Sequence, residues 1–118
     1  MTDSAYPALE SLSVRSRAVV TTERPARYAK QLASHMGHKI PVEQIEGGYR
    51  LTFNRDGNFR GYGDLLVGSG QEQGCLVLKV YAGTPEKCEG LEGVLGRHLE
   101  RFGEREGLAV SFTPESLS

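Results

Sequence analysis

Three histidines, His35, His38 and His98, are the residues of this chain whose type and placement could do chemistry. Imidazole titrates near neutral pH and is the commonest transition-metal ligand. Three brought to one point would make an open site for Zn²⁺, Fe²⁺, Cu²⁺ or Ni²⁺. Ferric iron prefers oxygen donors, so three imidazoles alone do not describe a ferric store. One of them could instead act as a general acid or base. A histidine on an apolar helix face can also be structural, hydrogen-bonded to backbone or carboxylate, and that reading stands beside the other two. Near the third histidine, Arg97, Arg101 and Arg105 recur at i, i+4 and i+8. With Lys39 they offer anion contacts; alternatively the row pairs with Glu100, Glu104 and Glu106 and complements the helix dipole.

Other chemistries lack their residues. No serine lies in a GxSxG turn, and no CxxC, HExxH or EF-hand pattern occurs. Cys88 stands roughly 15 Å along a helix from His98, too far for a thiol–imidazole pair. The two cysteines, Cys75 and Cys88, read as reduced thiols. Gly90, Gly93 and Gly96 recur every third residue, but inside a predicted helix and not between strand and helix, so they form no phosphate loop. Each should cost about 1 kcal/mol relative to Ala, and close backbone approach is the expected reason for them. Gly57, Gly61, Gly63, Gly68 and Gly70 read as turns and bulges.

The elements that must position the histidines follow from periodicity. Ser13–Thr22 alternates Val14, Ser16, Ala18 and Val20 against Arg15, Arg17 and Val19, as a half-buried strand does. Pro25 suits the first turn of a helix running to about Met36, with Tyr28, Leu32, His35 and Met36 on its inward face. Gly37 is suited to a left-handed end. Ile40-Pro41-Val42 leads to a strand at Tyr49–Asn54, and Asp56-Gly57 signals a hairpin into Phe59–Val67. Cys75–Tyr81 alternates again. Thr84-Pro85 caps a second helix whose stripe is Cys88, Leu91, Leu95, His98, Leu99 and Phe102. Leu108, Val110 and Phe112 alternate as a closing strand. The order is β-α-β-β-β-α-β, an α+β fold with two helices on one face of a mostly antiparallel sheet. Val19, Val77 and Tyr81 fall on the other face and suggest a homodimer or partner surface, or a merely amphipathic one.

The chain has 118 residues, enough for one domain with its own core. Residues 12–113 form it, with 1–11 as a loose, flexible N-terminal arm and 114–118 as a loose tail. No stretch approaches a membrane span. Met1-Thr2-Asp3-Ser4 has neither the basic nor the apolar region of a secretory signal, so a cytoplasmic location is expected. Residues 12–62 carry nine Lys/Arg against four Asp/Glu, a balance of +5; residues 63–118 carry five against nine, a balance of −4. That is a mixed solvated surface or a basic face for an anion. Nucleic acid is disfavoured, because the aromatics are not interleaved with the basic residues as a stacking platform requires.

Arg27-Tyr28 with His35-Met36-Gly37-His38-Lys39-Ile40-Pro41-Val42, then Arg97-His98-Leu99-Glu100-Arg101-Phe102 with Arg105-Glu106, resembles the bacterial family called domain of unknown function 2218. The resemblance spans about residues 12–113; Phe112 departs from it, standing where a Trp is usual. It implies Tyr28, His35, His38, Lys39, His98, Arg101, Phe102, Arg105 and Glu106 as motif residues. It also implies companionship with siderophore-interacting, flavin-dependent reductases. The reading is a non-enzymatic domain assisting metal or siderophore-iron handling through His35, His38 and His98. Lys39, Arg101 and Arg105 serve as anion or ligand contacts, supported by Tyr28, Phe102 and Glu106. Its rivals are an interaction or small-ligand module with structural histidines, and a small enzyme using histidine as its base.

Overall fold

A computed structural model describes residues 7–55, 58–68 and 74–115. The elements are β1 (Val14–Thr21), α1 (Pro25–Met36), β2 (Val42–Ile45), β3 (Gly48–Arg55), β4 (Asn58–Val67), β5 (Cys75–Ala82), α2 (Pro85–Phe102) and β6 (Thr113–Pro114). The strands make one sheet in the order β2-β3-β4-β5-β1-β6, and every neighbouring pair is antiparallel. The α+β class holds, with one strand more than the sequence predicts. The addition is β2, an edge strand paired from Val42↔Leu51 to Ile45↔Gly48. Glu43 and Gln44 are both exposed, so no apolar alternation marks it. Its one local signal is the turn glycine Gly47, at φ 84°. Arg55↔Asn58 closes the predicted two-residue hairpin. Asp56 and Gly57, like Ser69 and Gly70, lie outside the described residues.

Both helices cover one sheet face. Ala18, Val20, Leu51, Phe53, Leu65, Leu76, Leu78 and Val80 from the strands bury against Leu32, Met36, Leu91, Leu95 and Leu99. Pro25 opens α1 without a side-chain cap, and α2 starts on Thr84, whose Oγ accepts from the Lys87 amide at 3.2 Å. Gly37 does not take the left-handed conformation expected of it: its φ is −63°, and the chain leaves α1 through a tight turn in which Lys39 and Ile40 amides reach the Met36 carbonyl.

Close approach between helix and sheet occurs, but at glycines of β4 and not of α2. A Cβ on Gly61 would collide with the Tyr81 carbonyl oxygen and stand 2.8 Å from Leu91 Cδ1; one on Gly63 would stand 2.9 Å from Phe53 Cε2 and 3.1 Å from Leu95 Cδ1. The three α2 glycines are not crowded by backbone. At Gly96 a Cβ would meet only the Val110 side chain, at 3.6 and 3.7 Å, at Gly93 only the Arg97 guanidinium, and at Gly90 nothing within 4 Å.

Part of the opposite sheet face is buried by the chain itself. Val77 and Tyr81 are 3% and 6% exposed, which removes them from the expected partner surface; among the described residues, the large apolar side chains left exposed are Val19 on this face and Val67 on the helix side, beside Ala26 and Ala29. Arg50 clamps the buried Asp64 through Nε and Nη2 at 2.8 and 2.9 Å. The Arg15 guanidinium lies 5.0 Å from the Tyr81 ring and donates to the Leu9 and Leu12 carbonyls. Burial, then the Asp64 carboxylate, push the Tyr81 hydroxyl up to about 12. The described part of the N-terminal arm is therefore docked: Leu9–Ser11 form a 3₁₀ turn, and Tyr62 donates to the Pro7 carbonyl at 2.7 Å. After α2, Leu108, Val110 and Phe112 pack on the core as an irregular segment, not the expected strand. Pairing with β1 begins only at Thr113 and Pro114.

Candidate functional site

The helices run in opposite directions along the sheet, and the motif residues line the seam between them. At one end Tyr28, in the first turns of α1, donates its hydroxyl to Glu106 Oε1 at 2.8 Å, just beyond α2. The Thr22 hydroxyl donates to Oε2 of the same carboxylate at 2.9 Å. These bonds hold the Glu106 carboxyl below its ordinary range, and the Tyr28 bond raises the phenol, so the pair rests as phenol and carboxylate. Glu106 ties the α2 exit to the α1 entry. Glu100 likewise serves the return segment, accepting from the Val110 amide at 2.8 Å.

In the middle of the seam His35 meets His98. Their ring centroids are 5.0 Å apart with planes 46° to one another, and Phe102 stands edge-on to His35 at 5.5 Å. His35 is exposed and His98 half-buried, so neither lies in the core as the helical stripes suggest. Desolvation against α2 first, and then the charge of His98, push His35 below its ordinary value, which favours the neutral ring. His98 Nδ1 lies 2.7 Å from the Val94 carbonyl. A carbonyl only accepts, so Nδ1 carries the proton, and in the neutral ring Nε2 keeps a free lone pair.

His38 does not join them. It is exposed in the turn after α1, its amide reaching the His35 carbonyl at 3.4 Å. Among the described residues no three His, Cys, Asp or Glu side chains come together to hold a metal ion. The structure thus forms a two-histidine pair and not the expected triad.

The three cations expected to act together are also divided. Arg101 and Arg105 line a cleft of about 600 Å³ at the Tyr28–Glu106 end, with Arg24, Arg27 and Phe102. Lys39 lines a different cleft, of about 680 Å³, at the other end of the seam with Arg60 and Lys87. Regular strand alternation would aim Arg60 at the other sheet face, so its type and position in the sequence do not mark it as part of this cleft. Both cysteines are free; Cys88 is buried beside Ser16 Oγ at 3.4 Å, and Cys75 is half-buried. No helix among the described residues is long and apolar enough to cross a membrane.

Over residues 17–113 the chain matches the family described as "Uncharacterized protein conserved in bacteria (DUF2218)". A solved relative is the NMR structure of PA4090 from Pseudomonas aeruginosa, 24% identical with a TM-score of 0.68, covering 87% of this chain and 98% of that one. That likeness shows a shared fold. No curated protein matches.

Proposed function

The chain belongs to the bacterial DUF2218 family, and from that premise we propose that it is a binding domain which takes a divalent transition metal between His35 and His98. The observation that carries this reading is the imidazole pair. With metal–nitrogen bonds of about 2.1 Å, and ring nitrogens about 1.1 Å from their centroids, two imidazoles on one ion stand about 4.5–5.2 Å apart at bond angles of about 90–110°. The pair stands at 5.0 Å. The bond from His98 Nδ1 to the Val94 carbonyl is the kind that fixes the tautomer of a ligating histidine, and the depressed His35 ring loses little affinity to protons.

Two imidazoles leave at least two positions open on a four-coordinate ion. Such a site suits a metal that arrives with ligands of its own and leaves again, an accessory role in metal or siderophore-iron handling. Titration of the purified protein with Co²⁺, Ni²⁺ and Zn²⁺, followed by calorimetry and by the visible spectrum of Co²⁺, tests it. One ion should bind per chain, His35→Ala and His98→Ala should each abolish binding, and His38→Ala should keep it. Absence of stoichiometric binding, or equal loss in His38→Ala, refutes the pair as the site.

A further inference from the structure

The cleft at the far end of the seam has a separate design. Its floor is apolar, with Met36, Phe53 and Leu91, and its rim carries Lys39, Arg60 and Lys87. Among the described residues, none that line it is acidic and none of the three cations forms an ion pair. Three cations on one rim give the hollow a positive potential, which favours an anion there.

Two backbone features build this hollow. The first is a β-bulge. Phe53 pairs with Gly61 but Asn54 pairs with Phe59, so Arg60 is an extra residue of β4. Gly61 faces α2, beneath Leu91, and Tyr62 lies on the opposite face, reaching Pro7. Regular alternation would put Arg60 on the same side as Tyr62. With the bulge, Phe59 takes that side and packs edge-on against the Tyr62 ring at 5.1 Å, while Arg60 lines the helix-side cleft. The second is Gly90, inside α2 and on the cleft wall. A Cβ there would meet nothing within 4 Å, so packing does not account for a residue that weakens the helix. What its missing side chain does is leave the cleft open.

We propose that this cleft is a binding site for an amphipathic organic anion, its apolar body on Met36, Phe53 and Leu91 and its carboxylate or phosphate head at Lys39, Arg60 and Lys87. The volume, about 680 Å³, falls within the range of about 300–1,000 Å³ typical of small-molecule sites. The inference is independent of the metal reading, which concerns the histidines farther along the seam.

Decanoate and decyl phosphate, both kept below micelle formation, are titrated into the ¹⁵N-labelled protein, with decanol and inorganic phosphate as tail-only and head-only controls. At least one of the two amphiphiles should bind and shift the amides of Phe53, Arg60, Gly90 and Leu91, and both controls should bind about tenfold more weakly or not at all. Which headgroup binds more tightly identifies the ligand as carboxylate or phosphate. Arg60→Gln and Lys87→Gln should each weaken binding about fivefold. Gly90→Leu should block the cleft while keeping the fold, judged by its circular dichroism and melting temperature. His35→Ala should leave anion binding unchanged. Decanol binding as tightly as both anions, undiminished affinity in folded Gly90→Leu, or no binding of either amphiphile overturns the proposal.

Discussion

Replacing each of two glycines by alanine should move stability in opposite directions. At Gly90 the added methyl meets nothing within 4 Å, so only the helix-propensity gain of about 1 kcal/mol remains. At Gly61 it strikes the Tyr81 carbonyl on the neighbouring strand and the Leu91 side chain of α2, at a φ of 155° that disfavours any Cβ. Backbone cannot step aside as a lysine tip can. Overpacking of a filled interior costs about 1–3 kcal/mol, and the backbone collision places Gly61→Ala at the upper end, about 3 kcal/mol or more. Urea melts followed by far-UV circular dichroism read both values, and an unchanged slope shows that the comparison stays two-state. In a thermal melt, Gly90→Ala should rise by about 3–5 °C for a domain of this size. Gly96→Ala, with Val110 at an ordinary 3.6 Å, should also stabilise. The reasoning is refuted if Gly90→Ala destabilises, or if Gly61→Ala melts within about 0.5 kcal/mol of wild type.

Removing the Arg50 side of the clamp leaves the Asp64 carboxylate buried and unpaired, so Arg50→Ala should lose about 3–5 kcal/mol. The double variant Arg50→Met/Asp64→Leu should recover most of that loss, and chemical denaturation measures both. His35 titrates below its ordinary value in the folded chain, so the unfolded chain binds more protons in that window. Stability should therefore be full above the unfolded pKa and fall as pH drops from about 6.5 through the folded pKa. The pH dependence should shrink in His35→Ala, and in His98→Ala the His35 proton-NMR titration should move back towards its ordinary value. Burial, the largest influence, pushes the Cys88 thiol up, so a thiol reagent at pH 8 should label Cys75 first and reach Cys88 only on unfolding.

The legible parts of this fold were those in which one physical rule dominates. Ser16, Ala18 and Val20 on β1, or Leu76, Leu78 and Val80 on β5, alternate because one face packs on helices, and the pattern survives in the sequence. Arg55 pairs with Asn58 where the Asp-Gly pair predicts a two-residue hairpin, because few other pairs fit such a turn. The unread parts are those in which tertiary contact overrides local pattern. β2 has no apolar face because it is a short edge. Leu108, Val110 and Phe112 alternate like a strand, yet they pack against the core as an irregular segment. Arg60 reaches the helix side only because the register slips by one residue opposite Phe53 and Asn54, and no composition of the strand announces such a slip.

The histidines fall between these cases. Spacing of seven from Tyr28 and from Leu91 predicts His35 and His98 on the buried stripes. The centres of those stripes are Leu32 and Leu95, each fully buried, and each histidine follows its leucine by three residues. Three residues turn a helix about 300°, so each imidazole stands about 60° off the buried direction, on the flank of its stripe. The offset has the same rotational sense on both helices. Antiparallel neighbours lying on one sheet can turn such flanks towards each other, and the connectivity here does so. His38 follows Gly37, after the helical phase has ended, and no such rule carries it to the seam. A pair rather than a triad is therefore the arrangement that helical geometry itself favours, once the direction of the two helices is known.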